Sequence, residues 1–281
     1  MTHQVISRQH TLELLGIIED LPTLPDRFLK IQHIVNDPNS SSADIAKIIQ
    51  TDQSTAVMVM KVANSPSCNP MNKPISSLSQ AIARLGTNET ADIALSMSLL
   101  YGFAIPAGIA TIRSFWTHAY AVGLLCKHLT TKLPKHMGAP DPETMFLAGL
   151  FHDIGKAILG IRIDLSYFES KEFRSFGESV IDAERAAFGM DHAEVGQLIL
   201  TRWDMPEQII KVVAGHYSGS DCIGAKICFI ADSFANEELA ECNSIEAAHI
   251  ALSSGLFEKA EERLIEEGVL PKPEEEEEFE D

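Results

Sequence analysis

Six side chains in this chain have the chemistry to hold a divalent cation: His118, His152, Asp153, His192, His216 and Asp232. The densest concentration is the fragment FLAGLFHDIGK, residues 146–156, where an apolar run ends in His152 and Asp153. An imidazole nitrogen beside a carboxylate oxygen can grip one ion with two kinds of donor atom. Gly155 follows and reads as a chain-reversing residue at a helix end. His118 stands upstream in FWTHAY, His192 downstream in MDHAEVG, His216 at the end of a helical run, and Asp232 inside the apolar ICFIADSF. An acid within such a stretch is costly unless it is paired or bound to metal. Taken singly, each of these residues fits a hydrogen-bonded core position. Their recurrence at helix ends or on apolar faces is what points to a shared site.

The elements that must position these residues read as helices. Apolar residues recur at spacings of three and four, and no run alternates with period two over a useful length. Ser41 with Asp44 offers a cap for IAKIIQ, a helix over residues 55–63 stops near Asn64-Ser65-Pro66, and Gly86 ends the helix over 79–85. Asn88 is expected to cap the next helix into LSMSLL. Further helices are expected over 115–129, 143–151, 191–203, 206–214 and 223–236, with a last one over 247–264. Asp191 with Glu194 makes a capping-box variant, and Asp204 ahead of Pro206 is expected to cap the helix that follows. The fold class is therefore all-α. It is read as an amino-terminal helical bundle over residues 1–105, a ligand-bearing bundle over 106–257, and a helix end with an acidic tail over 258–281.

Composition narrows the function. With 281 residues, 45% of them hydrophobic, the chain can bury a sizeable core. It holds 40 acids against 22 Lys and Arg, a formal charge of −18, and residues 271–281 alone carry seven acids and one lysine. No cluster of cations remains to meet a phosphate backbone, so no nucleic-acid partner is expected. Residues 93–112 lack a charge, yet Gly102, Pro106 and Gly108 interrupt them and no Lys/Arg cluster marks a flank, so a buried helix and a connection are expected rather than a membrane span. Five cysteines with no Cys-x-x-Cys spacing suit reduced thiols and a cytoplasmic setting. The glutamate tail cannot bury apolar area and is expected to be disordered.

In the order His118, His152-Asp153, Asp232, the sequence resembles the HD superfamily of metal-dependent phosphohydrolases. More narrowly it is similar to the HDOD group, the HD-related output domains of bacterial signalling. The resemblance runs over roughly residues 15–255 and includes LPTLP at 21–25, VANS at 62–65, Gln80-Ala-Ile with Leu85-Gly86, residues 115–118, the 146–156 fragment and residues 188–196. It implies that His118, His152, Asp153 and Asp232 hold a first ion, and that His192 and His216 hold a second with Asp153 as the bridge. It implies a water activated by those ions for attack on phosphorus, with Asp153 at the centre of the chemistry. Lys156, one turn past Asp153, stands where a cation could meet a substrate phosphate, or could simply point into solvent. Iron, manganese, cobalt, nickel or zinc suit the mixed imidazole and carboxylate set better than calcium, and magnesium is admitted.

One departure bears on the substrate. The cyclic-dinucleotide phosphodiesterases of the superfamily have another histidine after the one matched by His216, then Gly-Tyr-Pro. Here Tyr217 follows instead, so cleavage of a cyclic dinucleotide is not expected. The resulting expectation is an HD-type phosphohydrolase acting on an unidentified phosphoester in signalling. The alternative is a non-catalytic output scaffold whose amino-terminal bundle grips a signalling partner and whose metal site is vestigial or structural.

Overall fold

The computed structural model describes residues 6–16, 23–102, 107–175, 177–217 and 220–270, and every regular element among them is helical. The junction expected near residue 105 and the acidic tail at 271–281 lie outside the described residues. The first six helices are α1 (Arg8–Gly16), α2 (Asp26–Asn36), α3 (Ser42–Gln50), α4 (Gln53–Ala63), α5 (Leu78–Leu85) and α6 (Thr87–Gly102). Their starts follow local chemistry. Ser41 and Asp44 form a reciprocal capping box on α3, Asp52 accepts from the Ser54 amide to open α4, and Ser77 accepts from the Gln80 amide to open α5. Gly86 ends α5 at a φ of 86°, which a side chain would resist. Asn88 does not cap α6: the helix begins at Thr87, and the Asn88 amide instead donates to Glu143. From Thr90 to Leu99, α6 is buried on every side, which makes it the central rod of this half.

The second half comprises α7 (Ile109–Thr131), α8 (Pro142–Phe151), α9 (Ile154–Arg162), α10 (Glu178–Phe188), α11 (His192–Arg202), α12 (Glu207–Gly215), α13 (Ile223–Glu238), α14 (Ile245–Ala251) and α15 (Phe257–Glu266). Four expectations are corrected here. The helix read over 115–129 extends in both directions, because weakly polar residues such as Thr111 and Thr131 do not break it. Gly155 does not reverse the chain; it sits in the first turn of α9, which continues the apolar run after only His152 and Asp153. Asp204 does not cap α12, since the capping position is Pro206 and Asp204 itself lies in left-handed backbone at φ 52°. The last helix is broken between α14 and α15, where Ser254 and Gly255 leave helical geometry.

Two close approaches set the frame. A Cβ on Gly149 would lie 2.8 Å from the Gly123 Cα, so only glycine lets α8 cross α7 at this distance. A Cβ on Gly155 would overlap the His192 carbonyl oxygen, so the start of α9 is pressed against the start of α11. The span Pro142–Arg162 is long and apolar enough to cross a membrane by composition alone, but 83% of its most apolar window is buried within the protein. Both halves share a continuous apolar core running from Leu15 and Phe28 through Trp116 and Phe151 to Leu264.

Candidate metal centre

The frame delivers all six candidate ligands to one place. His118 comes from the middle of α7, His152 and Asp153 from the break between α8 and α9, His192 from the first residue of α11, His216 from the end of α12 and Asp232 from α13. His118 Nε2 lies 3.0 Å from Asp232 Oδ1 and 3.3 Å from His152 Nε2. His152 Nε2 is 3.5 Å from Asp153 Oδ2 and 3.6 Å from Asp232 Oδ1, and His192 Nε2 is 3.3 Å from Asp153 Oδ1. Two groups could each hold a metal ion, His118 with His152 and Asp153, and Asp153 with His192 and His216; within each, the donor atoms lie within 4.8 Å of one another. Asp153 belongs to both.

The outward hydrogen bonds orient the rings. His152 Nδ1 donates to the Gly149 carbonyl at 2.7 Å, His216 Nδ1 to the Val213 carbonyl at 2.6 Å, and His192 Nδ1 to Glu184 Oε2 at 2.6 Å. A ring anchored through Nδ1 turns Nε2 inward, the arrangement metal-ligating imidazoles adopt. Three atoms at the centre, Asp153 Oδ1, His192 Nε2 and His216 Nε2, are fully buried and have no hydrogen-bond partner. Buried polar atoms are nearly always satisfied, and leaving one unmade costs about 1–3 kcal/mol. Three such atoms turned toward one another, two imidazole nitrogens and one carboxylate oxygen, fit a divalent cation.

Charge is distributed unevenly across the site. Burial works against a charge on His152, yet Asp153 and Asp232 outweigh it and push its pKa up to about 9. Burial drives that of His216 down to about 3, helped by the neighbouring His152 and His192. Burial also opposes ionisation of Asp153 and Asp232, but Lys156 and the histidines hold Asp153 well below the carboxylate range, and His118 and His152 do the same for Asp232.

Lys156 does not point into solvent. It is 2% exposed, and its ammonium donates to Asp153 Oδ2 and to the Ser175 carbonyl, both at 2.9 Å. Asp232 is braced similarly: Tyr217 donates to Oδ2 at 3.0 Å and Asn236 to Oδ1 at 2.7 Å. A cavity of about 390 Å³ opens beside His118, Asp153 and Lys156, walled by Phe115, Phe173 and Asn236 among others.

Glu184 is the functional residue that the sequence reading missed. It is 1% exposed, accepts from both the backbone amide and the ring of His192, and takes the Tyr167 hydroxyl. The only signal is a thin stripe: Glu184 shares one face of α10 with Val180, Ile181 and Phe188, at spacings of three and four, among charged neighbours.

Known proteins share this fold. The HDOD domain model matches residues 21–218. An HDOD domain protein of unknown function from Geobacter sulfurreducens superposes with a TM-score of 0.63 at 20% identity, covering 92% of this chain and 93% of that one. A protein from Shewanella amazonensis with a provisional phosphohydrolase assignment gives 0.60 at 20% identity, over 90% and 94%. A second from the same organism, provisionally a metal-dependent phosphohydrolase, gives 0.52 at 23% identity, over 90% and 92%. An uncharacterized protein of Treponema pallidum is 25% identical over 206 residues, which is 72% of this chain and 38% of that protein. With the domain match extending over most of the chain, and helical relatives superposing nearly end to end, the chain belongs to the HDOD family.

Proposed function

We propose that this protein is a metal-dependent phosphohydrolase of the HD type, acting in the cytoplasm on a phosphoester within a signalling pathway. The observation that carries the reading is the trio of buried, unpartnered atoms on Asp153, His192 and His216 beside an accessible cavity. A divalent ion, when bound, would supply Lewis acidity toward a phosphate oxygen and lower the pKa of water. Asp153 would bridge the two ligand groups, with His118, His152 and Asp232 on one side and His192 and His216 on the other. Lys156 carries its charge at the cavity wall, where it can neutralise a phosphate oxygen once substrate enters. Glu184 fixes the His192 tautomer, and Tyr217 with Asn236 fixes the Asp232 carboxylate. Phe115 and Phe173, stacked with centroids 5.5 Å apart, form an apolar wall for the alcohol portion of the ester. In this reading the half that precedes α7 is the part that meets an unidentified signalling partner, and nucleic acid has no role.

Elemental analysis of protein purified without chelator, together with a phosphatase assay on p-nitrophenyl phosphate, tests this. Wild type should contain manganese, iron, zinc, cobalt, nickel or magnesium and turn over the ester, and Asp153→Asn should lose both. Metal-free wild type that cleaves nothing after the ions are restored would leave the chain as a scaffold.

A further inference from the structure

The turn that joins α10 to α11 is closed from a distant part of the chain, and we infer that α1 is a strap whose Thr11 is a positioning residue, holding Glu184 and His192 in register. The consequence for metal binding rests on the proposal that the centre holds an ion; the strap itself does not.

The need for a strap comes from helix geometry. The last carbonyls of a helix have no partner within it, and α10 ends at the buried Phe188, where such oxygens are not left bare. The Gly189 amide closes one of them by donating to the Arg185 carbonyl. Two more are taken by the amino-terminal segment. The Ile6 amide donates to the Ala187 carbonyl at 2.8 Å, and the fully buried Thr11 hydroxyl donates to the Phe188 carbonyl at 2.5 Å. Gly189 stands at φ 68°, and a Cβ there would overlap the Arg8 amide nitrogen, so the strap lies directly on the turn. Arg8 then reaches across to α11, its guanidinium 2.7 Å from Glu194 Oε1, and Glu194 completes the capping box with Asp191 that opens this helix. Leu15 sinks the far end of α1 into the core.

The same turn carries two residues of the centre. Glu184 lies one helical turn before Phe188, His192 is the first residue of α11, and Glu184 accepts from the His192 amide at 2.8 Å and from its ring at 2.6 Å. Those two bonds close the turn from within while α1 grips it from outside. A displaced Phe188 carbonyl would move Glu184 through the helix backbone, and with it the partner that orients the His192 ring. Because α1 precedes residues 21–218, this support reaches the centre from outside the span that the HDOD model matches.

Measurements on the full chain decide it. In metal-free wild type, the His192 Nδ1 proton shared with Glu184 should give a far-downfield proton magnetic resonance, identified by its loss in His192→Gln. Thr11→Val keeps the shape and deletes the donor. It should shift or broaden that resonance and weaken Zn²⁺ binding about tenfold, and Thr11→Ser should restore both. Ile31→Val, a trim of the core in α2, should lower the melting temperature and leave both readings alone. In wild type the Ile6 amide should resist hydrogen exchange together with the His192 amide, a readout that needs no variant. An unmoved His192 resonance in Thr11→Val, an equal movement in Ile31→Val, or an Ile6 amide that exchanges freely overturns the strap. If wild type binds no Zn²⁺, the phosphohydrolase reading falls, and the His192 resonance and the Ile6 exchange still decide the strap.

Discussion

Glu184 carries two duties that a single atom change separates. Its carboxylate accepts from the His192 ring and from Tyr167 while fully buried, and burial disfavours its charge, but the neighbouring His192 holds its pKa below the usual value. Glu184→Gln keeps the volume and replaces one acceptor oxygen with a donor, which faces either the His192 Nδ1 hydrogen or the Tyr167 hydroxyl. The expected result is metal affinity lower by about 10- to 100-fold, the usual loss when the partner behind a metal-bound histidine is removed. A stability loss of about 1–3 kcal/mol should accompany it, from the donor left unsatisfied. Metal titration and thermal melting read the two effects separately, and an unaltered affinity would reduce Glu184 to a packing residue.

The crossing of α9 over α11 depends on having no side chain at Gly155, because the His192 carbonyl occupies that space. Gly155→Ala should push α9 away from α11, carrying Asp153 away from His192. Overpacking of this kind costs about 1–3 kcal/mol, and here it should also lower metal content in proportion, measured by elemental analysis beside a denaturant melt. If Gly155→Ala melts like wild type and keeps its metal, the contact is not holding the ligands in register. The element scale is also where the sequence was most and least legible. The HD pair, the buried Asp232 and the capped starts of α3 and α11 announced themselves, because a polar residue in an apolar run and a cap before one are local signals. The helix α9 was hidden because the apolar run crosses the two ligands without a break, and α10 because its charged face masks the stripe carrying Glu184. The role of Gly155 was hidden too, since a close approach between helices leaves no mark in neighbouring residues.

At the scale of the whole molecule, the seam between the two halves carries ionisable groups, of which Asp92 and His249 are buried. Lys127 of α7 bonds Asp92 of α6 at 2.7 Å and Glu143 of α8 at 2.9 Å. Nearby, His249 of α14 meets Tyr120, Glu89 and Cys68. Burial raises the Asp92 pKa from 3.8 to about 7 despite Lys127, and lowers that of His249 from 6.5 to about 4. The signs oppose. Folded Asp92 binds a proton that the unfolded chain releases, so its contribution falls as pH rises from about 4 to 7; folded His249 refuses a proton that the unfolded chain takes up, so its contribution falls as pH drops from about 6.5 to 4. Relative to wild type, Asp92→Asn should therefore gain stability with rising pH across this window and His249→Gln should lose it, each difference on the order of 3 kcal/mol. Urea melts at pH 4.5 and 7 measure both, and slopes of the same sign would show that the seam is hydrated.

The ligands arrive from stretches of chain more than a hundred residues apart, between His118 and Asp232. A cation seated among them would work as a knot, drawing five segments of backbone to one point. Tightness of fold and retention of the ion then become one quantity, because whatever is bound only by the folded form stabilises that form in turn. A substitution anywhere along those segments that loosens the weave would let the ion leak, even when it lies far from any donor atom.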